Sequence, residues 1–310
     1  MIGNPENQVL KGVSRSFYLS LRLLPRPMRG AASLGYLLAR ASDTLADSAT
    51  LPCAARLGFL EDFRKAVAGS GKVPRWPVAL LNSVPNARER QLLEMASDLV
   101  GLVDRLPAGE AKLVRRVVEI IISGQVLDLE RFSGATREHP IALPDDAALD
   151  DYAWRVAGCV GEFWTELGFL TLGKAFAVST LADLRERGIA YGKGLQLVNI
   201  LRDVGEDLAA GRCYLPVGQP FAMTELLDCH ARWLERATVW VREGERYAAT
   251  LRSRRLRAAT VLPAWIAQKT LEPLAGMTAE RLRQRVKVPR SFVYRAMARA
   301  IWCNPNDLCR

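Results

Sequence analysis

The chain has 310 residues, 49% of them hydrophobic and 25% charged, a balance that suits a globular protein with a large core and excludes disordered and collagenous classes. A net charge of +10 favours anionic partners, whether nucleic acid, an anionic lipid surface or a phosphorylated substrate, without choosing among them. The six cysteines (Cys53, Cys159, Cys213, Cys229, Cys303 and Cys309) form no C-x-x-C pair and His139 and His230 are the only histidines, so a zinc site is not expected and free thiols in a reducing compartment are.

In chain order, the opening MIGNPENQVLKG has no apolar run of the kind a secretory leader needs. No stretch reaches the roughly 18 apolar residues of a membrane span, and the best, Val114–Ser123, is broken by Arg115, Arg116 and Glu119. Alternation of the strand type is weak, whereas apolar residues at three- and four-residue spacing are dense. That spacing predicts helices near 28–47, 52–69, 87–105, 109–132, 148–171, 178–208, 221–252, 255–275 and 289–303. Pro25 and Pro27 stand before the first long helix, and loops are expected at Gly69–Pro77, Ser133–Asp146 and Gly211–Pro220. Composition does not shift along the chain and no repeat is visible, so the expectation is all-α, with residues 1–310 forming a single helical domain.

Two segments carry chemistry: YLLARASDTLAD (Tyr36–Asp47) and QLVNILRDVGED (Gln196–Asp207). A helix turns about 100° per residue. Tyr36, Arg40, Asp43 and Asp47 therefore share one face, and so do Gln196, Asn199, Asp203 and Asp207. Carboxylates one turn apart repel, at a cost of a few tenths of a kcal/mol. A divalent cation reverses that sign, and Mg²⁺ takes oxygen ligands and completes its shell with water and substrate phosphates. Arg40 and Arg202 stand beside the carboxylates, and guanidinium groups suit phosphate oxygens. A lone D-x-x-x-D equally describes a solvated helix face; two such ridges, one with added amides, point to a divalent metal and phosphate.

These two segments resemble the aspartate-rich motifs of the squalene/phytoene synthase family, the second continuing through Gly211, Arg212, Tyr214 and Pro216. VSRSFYLSLRLLP (Val13–Pro25) and DYAWRVAGCVGEFW (Asp151–Trp164) resemble two further blocks of that family in the same order. The resemblance implies an isoprenoid-synthase helical domain around a central cavity. It implies that Asp43, Asp47, Asp203, Asp207 and Asn199 hold Mg²⁺–diphosphate with Gln196. Ser14, Ser16, Phe17, Arg202, Arg40 and Tyr36 match positions near the diphosphates, and Tyr152 matches a tyrosine linked to proton removal. Thr44 follows Asp43 where many phytoene-type members carry a second aspartate, as in the D-T-L-E-D form of squalene synthases with Ala46 in place of glutamate.

The implied reaction is Mg²⁺-dependent head-to-head joining of two farnesyl diphosphates to squalene, reduced by NADPH, whose phosphates Lys287 and Arg290 would meet. Condensation of geranylgeranyl diphosphate to phytoene, or a reaction ending at presqualene diphosphate, are the alternatives. A basic helical protein that binds membrane or nucleic acid without catalysis is the reading from another class. As an enzyme of this family the chain is expected to be cytoplasmic, with prenyl diphosphates as partners, no nucleic acid, and peripheral contact with the inner face of a membrane. The small residues Val156, Ala157, Gly158 and Gly161 are read either as a passage for a prenyl chain or as helix packing. Trp233, Trp240 and Trp302 are candidates for that membrane contact only in the sense that tryptophan suits interfaces; core packing is the expectation for each.

Overall fold

A computed structural model describes residues 4–13, 17–48, 50–73, 75–218, 222–283 and 286–302. The chain is all-α, and its backbone divides into two compact units.

The first unit holds residues 1–130 and 166–173. It comprises α1 (Asn4–Val13), α2 (Phe17–Leu23), α3 (Arg26–Ala46), α4 (Cys53–Ala68), α5 (Val78–Ser83), α6 (Ala87–Glu94), α7 (Ala96–Val103) and α8 (Ala108–Arg131). Pro25 caps α3 and Pro27 sits in its first turn, where a missing N–H costs nothing. Leu34, Leu37, Leu38 and Leu45 of α3 are at most 1% exposed and share the core with Leu60, Phe63, Leu92 and Leu99. The stretch read as one helix over 87–105 is two, broken at Met95. Helices α1, α2 and α5 were not anticipated.

The second unit holds residues 131–165 and 174–310. Its elements are β1 (Ile141–Ala142), α9 (Asp146–Ala153), a π-helical turn at Trp154–Gly158, α10 (Cys159–Leu172, of which residues from Glu166 belong to the first unit), α11 (Leu181–Ala209), β2 (Arg212–Cys213), α12 (Met223–Thr250), α13 (Arg254–Leu271) and α14 (Arg290–Trp302). Strands β1 and β2 pair in parallel, Ile141 with Arg212 and Ala142 with Cys213, which ties the two expected loops together. Two buried phenols are satisfied: Tyr191 donates to the Thr260 carbonyl at 2.9 Å, and Thr165 and Tyr247 bond at 2.8 Å. Burial pushes both phenols up, so they stay neutral. Among the described residues, Cys53, Cys159, Cys213 and Cys229 form no disulfide, and no helix is long and apolar enough to cross a membrane.

The small residues of the 156–161 stretch serve packing here. A Cβ on Gly161 would lie 1.8 Å from the Gly188 carbonyl oxygen, and one on Gly192 would lie 2.3 Å from that of Ala157. Backbone therefore meets backbone where α11 crosses the π-helical turn and the start of α10. Trp233 is 1% exposed and Trp240 packs on the same core, as expected, but Trp302 is 76% exposed on α14, against the core-packing expectation.

Gly161→Ala should cost about 3 kcal/mol or more, because backbone on both sides leaves no side chain to give way. Gly58→Ala, inside α4 with nothing within 4 Å, should instead gain about 0.5–1 kcal/mol from helix propensity. Urea unfolding of the two variants checks this; equal effects would contradict the packing.

Candidate active site

The first carboxylate ridge belongs to the first unit. Tyr36, Arg40 and Asp43 lie on α3, and Asp47 is its C-cap, with its N–H donating to the Asp43 carbonyl at 2.8 Å. The helical backbone thus reaches Asp47 and keeps both carboxylates one turn apart. Asp43 is held from two directions. The Gln125 amide, brought by α8, donates to Asp43 Oδ1 at 2.5 Å, and Arg40 Nη1 stands 3.5 Å from Oδ2. Arg40 is itself fixed by Glu89 of α6 at 2.6 Å, and Asn86 donates to that same glutamate at 3.2 Å. Tyr36 donates its hydroxyl to the Val13 carbonyl at 3.3 Å and so joins α3 to α1.

The Asp43 carboxyl is pushed up to about 6 by lost solvation and by the charge of Asp47, against the pull of Arg40 and Gln125. Its side chain keeps 45% of its surface open. With that much water access, repulsion from Asp47 carries more of the shift than burial does. Arg40 is shifted upward: burial opposes its charge, but the bond to Glu89 and the charge of Asp43 outweigh it.

The second ridge belongs to the second unit. Thr180 caps α11 by accepting from the Asp183 N–H at 3.2 Å, and Leu197, Ile200, Leu201 and Val204 bury its inner face. Gln196, Asp203 and Asp207 are partly buried, and Asn199 is exposed. Arg202 grips the neighbouring Asp203 with two bonds, at 2.7 and 2.5 Å. Both the Asp203 contact and the charges of Glu206 and Asp207 raise its pKa, against burial. Asp207 meets Arg212 at 3.4 Å. That return is possible because Gly211 takes a φ of 80°, and a Cβ there would fall 2.6 Å from the Thr136 backbone nitrogen.

Tyr152 is 9% exposed and stacks on Tyr214 with ring centres 5.0 Å apart. Phe132 meets the other side of that pair edge-on at 5.2 Å. Three aromatic rings thus gather beside the segment that follows the second ridge. Lys287 and Arg290 are exposed, the latter opening α14. Ser14 and Ser16 lie outside the described residues, as does the side chain of Phe17.

Sequence reading missed Gln125, Glu89 and the partner role of Arg212. Gln125 is 7% exposed, and its own amide oxygen has no hydrogen-bond partner. The available signal was a glutamine in register with the buried Val118, Ile121 and Ile122 of α8. Among the described residues, no three Asp, Glu, His or Cys side chains cluster as a complete metal cage. The donor set nonetheless fits Mg²⁺, which takes one or two carboxylates and fills its remaining positions with water and phosphate.

A folded-state pKa near 6 for Asp43 lies above the roughly 3.9 of an unfolded aspartate. The native state then holds more protons between those values, so the contribution of this group to stability is present below about pH 4 and is lost as pH rises through about 6. Asp43→Asn should melt higher than the parent by a margin that grows across that window and levels off above it. A margin that stays flat with pH in thermal melts would contradict the repulsion.

The family model described as squalene/phytoene synthase matches residues 10–291. The chain is 32% identical over 214 residues to a presqualene diphosphate synthase of Rhodopseudomonas palustris, covering 68% of this chain and 62% of that protein. It is 30% identical over 212 residues to a squalene synthase of Yarrowia lipolytica, covering 67% of this chain and 44% of that one. The matched stretch thus spans less than two thirds of either relative's length. In fold, the chain is similar to the solved complex of TcSQS with the ligand BPH1237, with a TM-score of 0.76 at 23% identity over 96% of this chain and 85% of that one. The helical fold, the two aspartate ridges and a family match running through both make this chain a member of the squalene/phytoene synthase family.

Proposed function

We propose that the chain is a Mg²⁺-dependent prenyltransferase that joins two farnesyl diphosphates head to head, through presqualene diphosphate, to squalene. The observation that carries this reading is the pair of D-x-x-x-D ridges on two long helices, one of whose carboxyls is raised to about 6 by lost solvation and by its neighbour. Such a pair is poised for a divalent cation. Asp43 and Asp47 would hold Mg²⁺ on one ridge, and Asp203, Asp207 and Asn199 on the other. The bound ions supply positive charge against the departing diphosphate.

The remaining roles belong to the chain's own side chains. Gln125 and Glu89 fix Asp43 and Arg40, so the ridge meets its ligand already ordered. Arg40 and Arg202 add fixed positive charge against phosphate oxygens, and Gln196 lies on the ridge with the second pair. Ser14, Ser16, Phe17 and Tyr36 complete the diphosphate surroundings in this reading. The allylic C–O bond of the donor breaks and its electron pair leaves with the diphosphate. The C2–C3 double bond of the acceptor then bonds to the donor carbon, and loss of a proton closes a cyclopropane. Tyr152, Tyr214 and Phe132 offer aromatic faces to the positive carbon, and the Tyr152 hydroxyl orients the proton that leaves. Lys287 and Arg290 are exposed cations that would hold the phosphates of NADPH, which would supply the hydride that turns the cation left by a second C–O cleavage into squalene.

Similarity to a presqualene diphosphate synthase supports a second reading, in which the reaction stops at the cyclopropyl diphosphate. Incubation with farnesyl or geranylgeranyl diphosphate and Mg²⁺, with and without NADPH, followed by product mass analysis, separates these. The expected result is a thirty-carbon product from farnesyl diphosphate, with squalene only when NADPH is present. A forty-carbon product that needs no reductant would replace the reading with phytoene synthesis. Asp43→Asn and Asp203→Asn should each lower diphosphate release by about 10²–10³-fold. Unchanged release in both would leave a basic binding protein as the better account.

A further inference from the structure

Both oxygens of Asp43 meet a donor. The Gln125 amide donates to Oδ1 at 2.5 Å, and Arg40 Nη1 stands 3.5 Å from Oδ2. A cation bound to this carboxylate brings positive charge up against both. The two donors are held very differently. Arg40 bonds Glu89 at 2.6 Å, and that glutamate also accepts from Asn86 at 3.2 Å. Gln125 has no such anchor. Its bond to Asp43 is its only side-chain hydrogen bond among the described residues, and its Oε1 has none.

An acceptor left this way is costly, because Gln125 is 7% exposed and its oxygen is shut away from bulk water. The side chain stands on the face of α8 that carries Val118, Ile121 and Ile122 into the core. A methionine there would have similar length and no polar atom to satisfy. What the amide offers instead is a donor and an acceptor on one planar group, exchanged by rotation about its last bond, which has a broad and shallow preference.

We infer that Gln125 is a positioning residue that changes role when a cation joins Asp43: its N–H holds Oδ1 in the metal-free chain, and on cation binding the amide turns over so that Oε1 accepts a hydrogen bond from a water on the cation. The inference rests on the proposed Mg²⁺ site at Asp43. Charge sets the direction of the turn, since the cation repels the N–H end of the amide and attracts the carbonyl end. Mg²⁺ keeps several of its waters, and these are donors in need of acceptors. Arg40 keeps its place because Glu89 holds it. The acceptor that costs stability in the metal-free chain thus finds its partner in the loaded one.

The test measures Mn²⁺ affinity in the presence of pyrophosphate, read from the paramagnetic resonance of the free ion, for the full chain and for Gln125→Met, Gln125→Glu and Asp43→Asn. Urea unfolding of each metal-free protein runs alongside. Gln125→Met has neither donor nor acceptor and should weaken binding about 10–100-fold, as loss of a group behind the direct ligands does. Gln125→Glu lacks the donor but keeps an acceptor, and should bind at least as tightly as the parent. Metal-free stability should rank the other way, with Gln125→Glu the lower because it sets a second negative charge beside Asp43. In the unaltered chain, the Gln125 side-chain amide protons, assigned by their absence from Gln125→Met, should move upfield in the NMR spectrum when Mg²⁺ and pyrophosphate are added. Gln125→Met binding as the parent does would overturn the inference. So would equal losses in Gln125→Met and Gln125→Glu, which packing or the missing N–H would explain, or amide signals that do not move. Asp43→Asn binding as the parent does would overturn the metal site itself, and this inference with it.

Discussion

Two carboxylates one helical turn apart repel each other, and the chain goes to some length to keep them there. On α3 the repulsion shows in Asp43, whose carboxyl stands near 6 although Arg40 and the Gln125 amide both favour its charged form. The site is thus arranged around a deficit of positive charge that the protein reduces but leaves in place. On α11 the pattern is repeated with different partners, Arg202 on Asp203 and Arg212 on Asp207. An arginine can be drawn away by phosphate oxygens, whereas a buried apolar wall could not adapt in this way. The chemistry proposed for the chain follows from that arrangement: carboxylates held at fixed spacing, ready for a cation that brings the diphosphate with it.

Fixed spacing requires rigid helices, and the packing supplies it. In the first unit, α3 carries leucines on its inner side that are almost fully buried. In the second, α11 meets the π-helical turn and α10 with no side chain between them at Gly161, Gly188 and Gly192. Backbone contact of this kind leaves little room for a helix to slide or rotate, which fixes the face on which Gln196, Asp203 and Asp207 project. A π-helical turn beside Tyr152 shifts the register of the helix that follows it. The same turn lets Ala157 and Gly158 come close to α11.

Most helices were legible because apolar spacing is a local signal, and the long ones agree with expectation to within a few residues. Short helices were less so: α5 has only six residues, too few for a period to stand out. The break at Met95 and the π-helical turn left no trace in a three-to-four-residue pattern, since the apolar residues run on across both. Both carboxylate ridges could be read because each lies within one helix. Gln125 and Glu89 could not, because their meaning comes from contacts with α3 across 82 and 49 residues of sequence. The resemblance to a family supplied the reaction, which spacing alone had left at metal and phosphate. Trp302 was misjudged because composition favours burial for tryptophan, while the position of α14 on α13 turns that ring outward.

The central claim is that each carboxylate ridge, on α3 and on α11, takes a divalent cation together with diphosphate. Binding of Mn²⁺, as a stand-in for Mg²⁺, followed by its paramagnetic resonance signal in the presence of pyrophosphate, addresses this directly. The account predicts pyrophosphate-dependent binding that Asp43→Asn and Asp203→Asn each weaken. Binding that neither substitution changes would contradict it.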